Sequence, residues 1–164
     1  MTDLPAINPD AWSIFAVMRP VSESIVGVTY DVGSSVADAP SSSLSLRTGL
    51  NAGGGRATIY VGSAEVRLGY QPSDSFIGRT VFLLFTFSTR DGLRIFENGQ
   101  EVAAAPDDKR LLTQGYGANE WLMWRANRGL IGVSGMLSID LGWPEHRAYR
   151  RQMAEFFATK YGIA

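Results

Sequence analysis

A chain of 164 residues with 45% hydrophobic and 11% aromatic content can bury a sizeable core as one domain spanning 1–164. A formal net charge of −1 excludes a global field that would draw nucleic acid or an anionic membrane. The absence of cysteine excludes disulfide frameworks and thiolate metal sites, so redox chemistry does not reveal the compartment. The opening MTDLPAINPDAW lacks the basic and apolar regions of a secretory signal, and no stretch reaches the ~20 apolar residues of a membrane-spanning helix. The expectation is synthesis in the cytoplasm without a signal peptide and no membrane insertion. Residues 1–11 are a candidate docking arm.

Eighteen glycines and seven prolines punctuate the chain as turns between short strands. WSIFAVMRP (Trp12 to Pro20) alternates with both faces partly apolar, as in a strand covered on two sides. IVGVTYD (Ile25 to Asp31) follows, and then a Ser-, Ala- and Gly-rich loop through DVGSSVADAPSSS. SLSLRTG and ATIYVG (Ala57 to Gly62) flank a flexible tip at Gly53-Gly54-Gly55, which has neither the following helix nor the Lys-Ser/Thr pair of a phosphate loop. EVRLGY (Glu65 to Tyr70) alternates with one wet face. TVFLLFTFST (Thr80 to Thr89) is the most apolar run and reads as the middle strand of a sheet.

Asn98-Gly99, between RIFE and QEVA, supplies the two positive-φ residues of a type I′ hairpin. A long loop, DDKRLLTQGYGANE, precedes the closing strands WLMWRA (Trp121 to Ala126) and GLIGVSGMLSIDL (Gly129 to Leu141). A helix over 144–161 starts at Pro144 and ends at Gly162. Tyr149, Met153, Phe156, Phe157 and Tyr161 form its apolar stripe, which should dock on the sandwich. Arg147, Arg150 and Arg151 lie off that stripe and read as a solvated face, with Arg151 and Glu155 paired at i,i+4.

Gly92, Leu93, Ile95, Asn98 and Gly99, then Gly132 to Leu141, then Lys160, Tyr161 and Gly162 form a recurring set: a hairpin, a strand running into a helix, and a KYG end. In these residues the chain resembles the laminin-G-like branch of the concanavalin A-like lectin and glucanase superfamily. The resemblance covers most of the chain, and from Ser34 to Ser75 it holds in character only. It implies an all-β, two-sheet antiparallel jelly-roll sandwich with one C-terminal amphipathic helix. It further implies a carbohydrate-binding or adhesion module. A release-by-lysis setting, such as a phage virion surface, reconciles that implication with the missing signal; a bacterial surface is the alternative setting. The motifs are scaffold motifs, specific for fold and nearly silent on function.

Catalysis is not expected. The Glu-x-Asp-x-x-Glu pattern of the superfamily's glycosidases sets nucleophile and acid on one strand face. Here Ser138-Ile139-Asp140-Leu141-Gly142 retains one Asp and no Glu. The single histidine, His146, reads as an exposed helical residue, and no hydrolase motif accompanies it.

Sugar sites pair an aromatic platform with polar donors and acceptors. The richest local source is Tyr116, Asn119, Trp121, Trp124, Arg125 and Asn127, which form the candidate ligand site. Trp121 and Trp124 are three apart, so in a strand only one of them faces the core. No cofactor is called for; Asp38, Asp74, Asp107 and Asp108 could serve calcium, but their spacing is no ion loop. Expected partners are a glycan or cell-surface polysaccharide, other virion proteins and further copies of the chain. The competing reading is a structural assembly subunit that binds protein chains and no sugar.

Overall fold

The computed structural model describes residues 8, 10–20, 26–32, 42–48, 57–61, 65–109, 119–123 and 129–163. Ten strands and a C-terminal helix lie among them: β1 (Ala11–Pro20), β2 (Val26–Val32), β3 (Ser42–Thr48), β4 (Ala57–Val61), β5 (Glu65–Tyr70), β6 (Val81–Ser88), β7 (Gly92–Glu97), β8 (Gln100–Ala105), β9 (Asn119–Met123), β10 (Gly129–Leu137) and α1 (Arg147–Tyr161). A single 3-10 turn, Pro144–His146, leads into α1. All strand pairs are antiparallel, in two five-stranded sheets ordered β10-β1-β6-β7-β8 and β5-β4-β3-β2-β9. The jelly-roll sandwich with one C-terminal helix expected from the sequence is the observed architecture.

The first sheet is buried on both faces. β6 occupies its centre, and all eight of its residues are buried. Alternation sends Trp12, Ile14, Ala16 and Met18 of β1, with Leu83, Phe85 and Phe87 of β6, into a core that also receives Leu68 and Tyr70 of β5. Trp12 stacks on Phe87 with ring centres 5.5 Å apart. The opposite face presents Phe15, Val17, Phe82, Leu84 and Phe96 to α1, which covers them with Phe157, Met153 and Tyr161. Phe157 lies 5.0 Å from Phe82 and 5.8 Å from Phe15, centre to centre. Gly135 leaves room for the Phe15 ring, which a Cβ at Gly135 would meet at 2.5 Å.

Several sequence expectations are confirmed in detail. Asn98 and Gly99 adopt φ of 50° and 87°, as a type I′ turn requires. Gly162 caps α1 in the left-handed region. Others are corrected. The closing strand expected to run to Leu141 ends at Leu137, because Ser13 takes up the backbone of Ile139 and Leu141 in place of a ladder partner. Tyr149 and Phe156, placed on the docking stripe, are 63% and 58% exposed. The stripe of five spans roughly 140° of arc at 3.6 residues per turn, wider than a helix lying on a sheet buries, so its margin stays wet. Arg150, assigned to the solvated face, falls inside the buried arc between Phe157 and Tyr161, and its guanidinium carbon lies 4.3 Å from the Phe96 ring centre. Of the 1–11 arm, Asn8, Asp10 and Ala11 are described: Ala11 opens β1, and the Asp10 carbonyl accepts from Thr89 N–H at 3.0 Å.

A polar staple closes the core beside β5. The Tyr70 hydroxyl donates to Glu97, and Arg79 pairs with the same carboxylate at 2.9 Å. Burial first, and the Glu97 acceptor second, hold the Tyr70 phenol neutral above its ordinary value. Its contribution to stability is therefore complete below about pH 10 and is lost as pH rises through the raised value. Denaturation between about pH 9 and pH 12 should show a stability slope in the native protein that Tyr70→Phe removes. In the helix layer, Phe157→Ala should cost about 3–5 kcal/mol in chemical denaturation. Phe156→Ala, one residue away, should stay within about 0.5 kcal/mol of the native protein.

Candidate functional site

The segment Ser138–Trp143 carries the chain from edge strand β10 across the end of the first sheet to α1. Asp140, Leu141 and Gly142 are buried, where peptide groups need partners, and each carbonyl from Ile139 to Trp143 has one. Ser13 Oγ donates to Ile139 O at 2.7 Å and accepts from Leu141 N–H at 2.8 Å. Trp143 N–H donates to Asp140 O at 3.3 Å, and His146 Nδ1 contacts the same oxygen at 2.8 Å. Arg150 donates to Leu141 O, Arg94 Nη1 donates to Gly142 O at 3.0 Å, and His146 N–H donates to Trp143 O at 3.0 Å.

Asp140 is fully buried, and its Oδ1 accepts from Gly142 N–H at 2.6 Å, the i+2 turn its short side chain favours. Burial draws the Arg150 guanidinium below its ordinary pKa, with Glu101 and Asp140 opposing the shift and Arg147 and Arg94 adding to it. Arg150 thus holds together sheet, connection and helix.

This knot fixes an aromatic ledge at the start of α1. Trp143, His146 and Tyr149 follow one another at intervals of three residues. Trp143 and His146 are stacked at 5.5 Å, and His146 and Tyr149 meet edge to face at 6.3 Å. Trp143 is anchored by donating Nε1–H to Ser88 Oγ at 3.1 Å. The Arg90 guanidinium lies 4.6 Å from the Trp143 ring centre and binds Glu145 through both terminal nitrogens, at 3.0 and 3.5 Å. Its Nε donates to Asp91 at 3.1 Å. The Glu145 hydrogen bond is the chief reason the Arg90 pKa is raised, and the Arg90 hydrogen bond is the chief reason that of Glu145 is lowered. The ledge therefore carries an exposed tyrosine, guanidinium donors, a carboxylate acceptor and an imidazole.

His146, expected to be exposed, is half-buried within this ledge because its ring nitrogen serves the Asp140 carbonyl. Of the ligand site expected from the sequence, Tyr116, Trp124, Arg125 and Asn127 lie outside the described residues. Asn119 and Trp121 lie on β9, whose backbone pairs them with Val32 and Tyr30. Asp74 falls between β5 and β6, Asp107 and Asp108 follow β8, and Asp38 lies outside the described residues. Among the described residues no three acidic or histidine side chains are grouped to hold a metal ion. The ledge was not among the sites expected from the sequence. Its one local signal was the W-x-x-H-x-x-Y spacing at the helix start, since three residues bring side chains to one helix face.

No protein-family model matches the chain, and no curated protein matches it. Solved structures do. A native heptameric SAP-like pentraxin from Limulus polyphemus superposes with a TM-score of 0.65 at 12% identity, covering 94% of this chain and 73% of the pentraxin. The T. cruzi calreticulin globular domain gives 0.56 at 10% identity, over 95% and 70% of the two chains. The binding domain of botulinum neurotoxin DC, solved with SialylT, gives 0.58 at 8% identity, over 90% of this chain and 36% of that one. These similarities show that the chain shares its two-sheet β-sandwich fold with those structures.

Gly142 tests the knot. A Cβ there would stand 2.5 Å from Thr86 Oγ1 and 2.7 Å from Asp140 Oδ1. Gly142→Ala should lower stability by about 1–3 kcal/mol in thermal or chemical denaturation.

Proposed function

We propose that the chain is a non-catalytic carbohydrate-binding or adhesion module of laminin-G-like type, with the ledge at the start of α1 as its sugar site. The observation that carries this reading is Tyr149, a 63% exposed ring standing edge to face with His146, beside the Arg90–Glu145 pair. A sugar offers an apolar C–H face and a rim of hydroxyls. The tyrosine ring takes the first, and the guanidinium, carboxylate and imidazole take the second. The fold supports the reading, since the similar neurotoxin binding domain was solved with SialylT. The absence of catalysis is likewise a proposal. It is supported by Asp140, the one acid of the Ser138–Gly142 stretch, being buried and bonded to Gly142 N–H. The setting we propose is a virion surface, with a bacterial surface as the alternative.

A second reading, an assembly subunit binding protein chains, is favoured by Leu130 and Phe156, which are 65% and 58% exposed. The similar pentraxin is heptameric.

A glycan array with native protein and Tyr149→Ala decides between the two. The sugar reading expects a defined glycan retained by native protein, at least tenfold weaker retention by the variant (about 1.4 kcal/mol), and an unchanged melting temperature. No glycan retention, with a stable oligomer in light scattering, would overturn it in favour of assembly.

A further inference from the structure

The flank of α1 opposite Tyr149 and Phe156 faces the β7–β8 hairpin across an open groove of about 340 Å³. Asn98 and Gln100 line it from the hairpin, and Arg147, Arg150, Arg151 and Glu155 line it from the helix. The hairpin and helix approach closely at its floor, where a Cβ on Gly99 would meet Ala154 at 2.8 Å. The volume falls in the range of small-ligand sites.

The charges are not balanced within it. Arg151 is paired with Glu155 at 2.7 Å, and Arg150 is committed to Leu141 O and the Phe96 ring. Arg147 is exposed and lines the groove beside them. It stands three residues from Arg150 and four from Arg151, spacings at which like charges repel on a helix. Burial is the chief reason the Arg150 pKa is lowered, and Arg147 and Arg94 add to it. Three arginines against one glutamate leave the groove net positive, and the planar fork of Arg147 suits a carboxylate held through two parallel hydrogen bonds. Neutral hydrogen-bonding capacity surrounds it. Asn98 Oδ1 already accepts from Phe82 N–H at 3.1 Å, which leaves its amide donors, and Gln100 is exposed.

We propose that this groove binds the carboxylate of an acidic sugar, with Arg147 as the bidentate contact and Asn98 and Gln100 as partners of the neighbouring hydroxyls. This rests on the sugar-binding reading but uses different residues, so the two can fail separately.

Isothermal titration with an oligogalacturonate, its methyl ester and inorganic phosphate tests it, using native protein, Arg147→Ala, Arg147→Lys and Tyr149→Ala. The proposal expects the acid to bind at least tenfold more tightly than the ester. It also expects Arg147→Ala to remove that preference, and Arg147→Lys to restore only part of it because an ammonium lacks the fork. Melting temperatures should match, since Arg147 is exposed. Equal binding of acid and ester, or an acid preference that survives Arg147→Ala, would overturn the proposal. Phosphate binding without oligogalacturonate binding would overturn it too, in favour of a general anion site. Acid binding lost in Tyr149→Ala and kept in Arg147→Ala would leave the ledge standing and remove the groove.

Discussion

The structure depends on one constraint: its first sheet is apolar on both faces and needs two covers. β6 makes the point most plainly, since Val81, Leu83, Phe85 and Phe87 enter one core while Phe82 and Leu84 enter the other. The second sheet supplies one cover. The other must come from α1, and α1 reaches that face only if residues 138–143 cross the sheet end without stranding their peptide groups, each worth about 1–3 kcal/mol when buried unpaired. The Ser13 hydroxyl, the Arg94 and Arg150 guanidiniums and the His146 ring meet that demand. Some cost remains, because Thr86 Oγ1 and Asp140 Oδ2 are buried without a partner among the described residues.

The same groups connect scaffold to surface. Because His146 is held by Asp140 O and Trp143 by Ser88, the rings beside Tyr149 are fixed in place, which would limit the ordering cost of the proposed sugar binding. Because Arg150 is drawn inward to Leu141 O, Arg147 is left at the rim of the opposite flank. A single helix, pinned at its first turn, thereby offers two chemically distinct flanks: aromatic on one side, cationic on the other.

Much of the fold was legible in the sequence because its determinants are local. Asn98-Gly99 specifies its own turn, the run from Val81 to Ser88 declares a doubly covered strand, and Gly162 marks a helix end. The site was less legible because its contacts are distant in the chain. Arg90 meets Glu145 across 55 residues, and Ser13 meets Leu141 across 128. Burial on α1 was misjudged at Tyr149, Phe156 and Arg150 because hydrophobicity gives the stripe but not its width. The helix's tilt on the sheet and its tether at Leu141 decide which margin is wet, and neither is written in a 3.6-residue period.

The proposed sugar site lies on the helix side of the sandwich, on elements that the connection pins. The most direct measurement is chemical-shift mapping by nuclear magnetic resonance during titration with a glycan that the protein retains. The account requires saturable shifts at Arg90, Trp143, His146 and Tyr149, with the β2–β3–β9 strands unmoved. Shifts confined to those strands and to the 116–127 segment, with the helix start silent, would contradict it.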